Sequence, residues 1–220
     1  MFLTAKSMGL ADFNTQRSRV YDDNTASDSR DKAFGIFHET WFVRLGLREL
    51  FENVIAEFPI VANSGAEIFI KRVWMAREEG SQLYKDGFEA TVMLALQPAR
   101  VMECGFLQSF LRHELLHISD MLDTRFQYSP HAVLGGDSEI TDNLIRDRFR
   151  LLWNWFVDGR LQRRGYTLAQ SLEKQRAMLD KAFFFWSAEK RENALATLAM
   201  AEHCTQAQLL ALARDKESGP

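Results

Sequence analysis

The chain has 220 residues, enough for one domain with its own core or for two small ones. Apolar residues make up 46% and charged residues 26%, which excludes a disordered, collagen-like or disulfide-scaffold protein. A formal net charge of −3 gives no bulk attraction for nucleic acid or anionic lipid, and no apolar run is long enough to cross a membrane.

Residues 14–32, NTQRSRVYDDNTASDSRDK, are almost free of apolar side chains. Such a segment cannot bury enough surface to offset its ordering entropy. Residues 1–32 are therefore expected to be a flexible polar lead-in to a single domain over 33–220. From Ala33, the residues Phe34, Phe37, Trp41, Leu45, Leu50, Phe51, Val54 and Ile55 recur at three- and four-residue steps, predicting helix over about 33–57 with a bend at Gly46. EIFIKRVWMA (67–76) and FEATVMLALQ (88–97) change to a β-type pattern, with turn signals at Glu79-Gly80 and Asp86-Gly87 around a short middle segment, SQLY. A small antiparallel sheet is the simplest reading.

Helical patterning then continues to the end. One helix is expected over about 101–122, a polar loop over 123–138, and a second helix over about 139–164 that stops at Gly165. Thr167, Ser187 and Thr205 read as N-caps of three more. Helix, small sheet and then several helices indicate an α+β fold. Two cysteines with no paired spacing and an N-terminus without a leader-like apolar stretch suggest a cytoplasmic protein.

Residues 113–117 read His-Glu-Leu-Leu-His, the HExxH pattern, inside GFLQSFLRHELLHISDMLD. Residues four apart share a helix face, so His113 and His117 can offer ring nitrogens to one Zn²⁺. Glu114 is rotated by about 100°, which sets its carboxylate beside the metal as a general base. The pattern arises by chance about 0.01 times in a chain of this composition. Leu107, Leu111, Leu115, Ile118 and Leu122 form an apolar stripe, while Phe106 and Phe110 line up with the histidines, so a buried helix is expected.

A catalytic zinc usually takes three protein ligands, and three aspartates compete for the open place. Asp120 lies seven residues, about 10 Å, from His113 along the axis and suits an orienting role better than direct ligation. Asp123 stands where a metzincin carries its third ligand, but no glycine breaks the helix before it. Asp158 falls on a stripe with Ile140, Leu144, Asp147 and Leu151, with Asn154 at its edge. A carboxylate embedded in an apolar helix face needs a cation or a partner, and the adjacent Gly159 would let the two helices approach. Asp158 is the preferred third ligand, and an ion pair with a nearby arginine is its structural alternative.

HELLH resembles the active-site helix of zincin metallopeptidases, and NWFVDGRLQRR is similar to the second, ligand-bearing helix of their gluzincin branch. The likeness covers about residues 67–164 and departs from the family in carrying Asp158 where a glutamate is usual. It implies a zincin-like fold with a small sheet before the HExxH helix. It also implies a zinc-dependent peptidase that uses metal-activated water, with Glu114 as proton shuttle and a further donor at the oxyanion. Tyr128, His131, Arg160 and Tyr166 are candidates for that donor.

Two rival readings remain. One is a zincin-like module that binds a metal or a partner without turnover. The other is a nucleic-acid-associated factor using the arginines at 146, 148, 150, 160, 163 and 164, interleaved with Trp153 and Trp155. A solvated helix face with local ion pairs is the more frequent explanation of such arginines. The FFFW run (183–186) reads as core.

Overall fold

The computed structural model describes residues 2–23, 27–87 and 89–215, without the side chains of 2–10 and 27. The elements are α1 (Phe2–Asp23), α2 (Ser27–Arg44), α3 (Leu47–Ala56), α4 (Pro59–Ala62), β1 (Glu67–Arg72), β2 (Gly80–Asp86) and β3 (Glu89–Leu96). There follow α5 (Pro98–Val101), α6 (Cys104–Leu122), α7 (Glu139–Arg163), α8 (Leu172–Ala182), α9 (Ala188–Met200) and α10 (Gln206–Arg214). The chain is α+β, and among the described residues no helix is long and apolar enough to cross a membrane.

Two compact units emerge, Met1–Asn53 and Val54–Pro220, in place of the expected boundary at residue 33. In the first, the expected flexible lead-in is helical over Phe2–Asp23 and again from Ser27; residues 1 and 24–26 of it lie outside the described residues. Aromatic packing explains the difference. Phe13 sets its ring 4.9 Å from Phe37 and 5.3 Å from Trp41, and Tyr21 lies 4.8 Å from Phe34. Gln16 accepts the Trp41 indole N–H at 3.2 Å, and Arg44 pairs with Asp12. Phe13 and Tyr21 thus lie on the face of α1 that meets α2. The bend expected at Gly46 is a full break between α2 and α3, made at φ +71°, a conformation other residues adopt only at a cost.

In the second unit, the sheet order is β1-β3-β2. β2 runs antiparallel to β3, but β1 runs parallel to it, so the sheet is mixed and not antiparallel. β3 is central because only its inner face is strongly apolar: Val92, Leu94 and Leu96 are buried at alternate positions. SQLY is part of an edge strand, β2, and not a middle one.

α6 buries Leu107, Leu111, Leu115 and Ile118 on one side and Phe110 and His117 on the other. It begins after Glu103, with the separate short α5 taking the first residues of the expected helix. α7 starts at an N-cap, Ser138, whose side chain accepts the Thr141 N–H, and the chain turns at Gly165 with φ +78°. Its buried face carries Ile145, Phe149, Leu152, Trp153, Phe156, Val157 and Leu161. Ile140 and Leu144, expected on the core stripe, are exposed. α8 is capped by Ser171 instead of Thr167, while Ser187 and Thr205 cap α9 and α10 as expected. Phe183 and Trp186 are buried at the junction of α8 and α9.

Gly159 does allow a close approach, but of a different helix. A Cβ placed there would lie 2.7 Å from the Ala199 carbonyl oxygen and 2.8 Å from its Cα, both on α9. Glu57, just after α3, forms a two-pronged ion pair with Arg112 on α6, both bonds 2.7 Å, and Arg112 also stacks on Tyr166. The hydrogen bonds to Arg112 outweigh partial burial and hold the Glu57 carboxyl below the usual range.

Two predictions follow from these contacts. Gly159→Ala forces backbone against backbone and should lower unfolding free energy by about 1–3 kcal/mol in urea titrations. Because the folded pKa of Glu57 is depressed, its contribution is complete above the unfolded carboxyl value of about 4.3 and is lost as pH falls through the lower folded value. Glu57→Gln should therefore cost about 1 kcal/mol at pH 7, and the difference from the parent should shrink toward pH 3.

Candidate functional site

The site is built where α6 and α7 face one another. One turn of helix separates His113 from His117, so both rings leave α6 on the same side, 4.8 Å apart between centroids. Their Nε2 atoms face each other at 3.2 Å. Asn154 reaches in from α7 and sets its Oδ1 3.0 Å from His117 Nε2. Two ring nitrogens and an amide oxygen thus converge on one point. For Zn–N bonds of 2.0–2.1 Å, two nitrogens of a tetrahedral shell lie about 3.3 Å apart. The spacing fits a shared cation.

Asp158 does not join that focus. Its Oδ1 sits 2.7 Å from His113 Nδ1, the nitrogen on the far side of the ring, and its Oδ2 accepts from the Gln175 amide of α8. The expectation that Asp158 is the third ligand is therefore corrected. At 1% exposure it is an orienting group, satisfied by an imidazole and an amide instead of a metal. The geometric reason is register: Asn154 stands one turn earlier on α7, level with the Nε2 atoms, whereas Asp158 is level with the back of the His113 ring. Among the described residues no three His, Cys, Asp or Glu side chains gather as a metal-binding group.

Asp120 holds the neighbouring layer. It accepts two bonds from Arg160, at 2.8 and 2.6 Å, and one from the Trp153 indole at 2.8 Å. The Trp153 ring stands edge-on to His117 with centroids 4.5 Å apart, so Asp120 acts on that histidine only through Trp153. Asp123 is elsewhere, bonded to Arg125 at the end of α6.

Glu114 points toward the edge strand. Its Oε2 accepts the Ser81 hydroxyl at 2.7 Å. Burial pushes the Glu114 carboxyl above its usual range, against the opposing pull of the His113 charge and the Ser81 bond. Burial also disfavours protonation of His113, but the bond to Asp158 and its charge win, raising that pKa. His117 has no carboxylate partner; burial, repulsion from His113 and the charge of Arg160 push it well below the ordinary imidazole value. A neutral His117 keeps a ring lone pair for a metal.

These groups form the floor of a cleft of about 1150 Å³. Residues 80–84 of β2 line one wall, and Arg146, Arg150 and Asn154 of α7 line another. Of the four oxyanion candidates only Tyr128 lines this cleft. Arg160 is held by Asp120, Tyr166 stacks on Arg112, and His131 lies in the exposed loop outside the lining. Burial raises the Tyr128 pKa, so its hydroxyl keeps its proton. Ser81 escaped sequence reasoning because a serine in a short strand carries no signal. Asn154 lies at the edge of the same stripe as Asp158, and a neutral amide gives a weaker sequence signal for a metal than a carboxylate one turn away.

The five arginines of α7 divide. Arg148 donates to the Ala182 carbonyl, Arg160 to Asp120, and Arg163 to the carbonyls of Ala199 and Ala201. These are inward ties between helices, which leaves no continuous basic face along α7. Comparison with protein-family models, with curated proteins and with solved structures finds no match to this chain.

Asp158→Asn should weaken zinc binding about 10- to 100-fold by releasing His113, as read by chelator competition. Asn154→Asp should strengthen it, since a charged oxygen replaces a neutral one at the same place.

Proposed function

We propose that the chain is a zinc-dependent peptidase whose metal is held by His113, His117 and the amide oxygen of Asn154. The observation that carries this is the convergence of those three donors beside a general base, at the floor of an open cleft with an edge strand as its wall. Two imidazoles and an oxygen suit zinc by donor type. A divalent cation there supplies a Lewis acid, which lowers the pKa of water and polarises a carbonyl.

The protein's own residues do the rest. Asp158 fixes the tautomer of His113 by accepting its Nδ1 proton, which turns the Nε2 lone pair toward the cleft. Glu114, with a raised pKa and one oxygen bonded to Ser81, takes a proton from water and returns it to the leaving amine. Tyr128 keeps a donor O–H in the cleft for the developing oxyanion. The outer edge of β2 offers backbone groups to an extended peptide.

A second reading is favoured by one specific feature, the neutral donor at 154. With no carboxylate on the metal, the site carries one negative charge fewer, as a metal-binding module without turnover would tolerate. Glu114 separates the two. After a zinc-supplemented preparation, the parent should hold about one zinc per chain by elemental analysis, and His113→Ala and His117→Ala should hold none. Glu114→Gln should keep the metal and lose peptide cleavage by about 10²-fold or more. Unchanged cleavage would refute its role, and a parent without metal would remove the enzyme reading.

A further inference from the structure

The cleft carries a charge that the hydrolytic groups do not use. Lys71, Arg72, Arg77, Arg146 and Arg150 all line it and are exposed. Among the described residues, none of the five is in ion-pair contact with a carboxylate. Arg146 bonds only the neutral Asn143 side chain, and Arg72 stacks on Trp74. The three lining carboxylates are already engaged. Glu78 accepts the backbone N–H groups of Trp74 and Met75, Glu79 accepts the Gln97 N–H and pairs with Arg100, and Glu114 holds Ser81. Within a chain of net charge −3, this is a concentrated positive field in a concave site, where low-dielectric walls strengthen it.

We propose that the cleft selects acidic polypeptide segments, with carboxylate side chains meeting Arg150 and Arg146 at a fixed distance from the His113–His117 pair. This specificity rests on the peptidase reading given above. Arg146, Arg150 and Asn154 follow one another at four-residue steps along α7, so they share one face. The arginines therefore lie about 6 Å and about 12 Å along the helix axis from the metal-facing amide. An extended peptide advances about 3.3 Å per residue. Acidic residues about two and four positions from the scissile bond match those distances, and alternate residues of a strand point to the same side.

A polypeptide is favoured over a nucleic acid on two grounds. Residues 80–84 lining the cleft belong to an edge strand, and pairing with its backbone serves a peptide and not a base. The arginines at 148, 160 and 163 are tied inward, so no basic track extends along α7 for a phosphate backbone to follow.

The test uses the full chain carrying Glu114→Gln, loaded with zinc, and fluorescent peptides of equal length with Glu, Gln or Lys at alternate positions, beside a single-stranded oligonucleotide. By anisotropy, the Glu peptide should bind about tenfold tighter than the Gln peptide, and the gap should narrow as salt rises to about 0.3 M. Adding R146E and R150E should reverse the order in favour of the Lys peptide, an outcome that misfolding does not produce. R164E with K181E, an equal charge change outside the cleft, should keep the original order. Equal binding of the three peptides, tightest binding of the oligonucleotide, or an order unmoved by R146E and R150E would overturn the proposal. The two readings fail separately. Parent enzyme that cleaves Gln and Glu peptides equally well would sink the acidic preference and leave the peptidase. Parent that binds the Glu peptide selectively but cleaves nothing would sink the peptidase and leave the preference.

Discussion

The bond between Asp158 and His113 is the contact on which the site depends. A carboxylate at 1% exposure is costly unless every oxygen is satisfied, and here one oxygen holds an imidazole of α6 while the other holds an amide of α8. The same pair of bonds ties three helices together at the level of the active groups. It also decides which nitrogen of His113 carries the proton and which is left for chemistry. Removing the carboxylate therefore alters the packing of three helices and the orientation of His113 together.

A second buried charge sits one layer away and does a different task. Asp120 is saturated by Arg160 and the Trp153 indole, and Trp153 in turn braces the ring of His117. The two histidines are thus held by unlike means, one by a charged hydrogen bond and the other by an aromatic wall. Their titration behaviour differs too: the Asp158 carboxylate favours a proton on His113, whereas burial and the charges of His113 and Arg160 oppose one on His117. On the opposite side, Ser81 links Glu114 to β2.

In the proposed centre, the amide at position 154 would set the chemical character. Two neutral imidazoles and a neutral oxygen would leave a bound dication with its full charge, balanced at a distance by Asp158 and Glu114. Such a centre should be a stronger Lewis acid and a weaker metal binder than one with a directly bound carboxylate. The positive walls of the cleft act in the same sense, since they draw anionic groups toward a centre already rich in positive charge.

Local pattern was enough to reveal HELLH, the caps at Ser187 and Thr205, the turn at Gly165 and the alternation of β3, because each depends on neighbours within a few residues. It was enough to place both histidines on one helix face and to single out the aspartate that proved to orient one of them. Tertiary packing alone decided the rest. The parallel pairing of β1, the helical state of residues 2–23 and the approach of α9 to Gly159 all depend on partners far along the chain. So does the choice of Asn154 over Asp158 at the focus, since only the relative height of α6 and α7 determines which turn of α7 comes level with the Nε2 atoms. Residue type argued for the carboxylate, and position chose the amide.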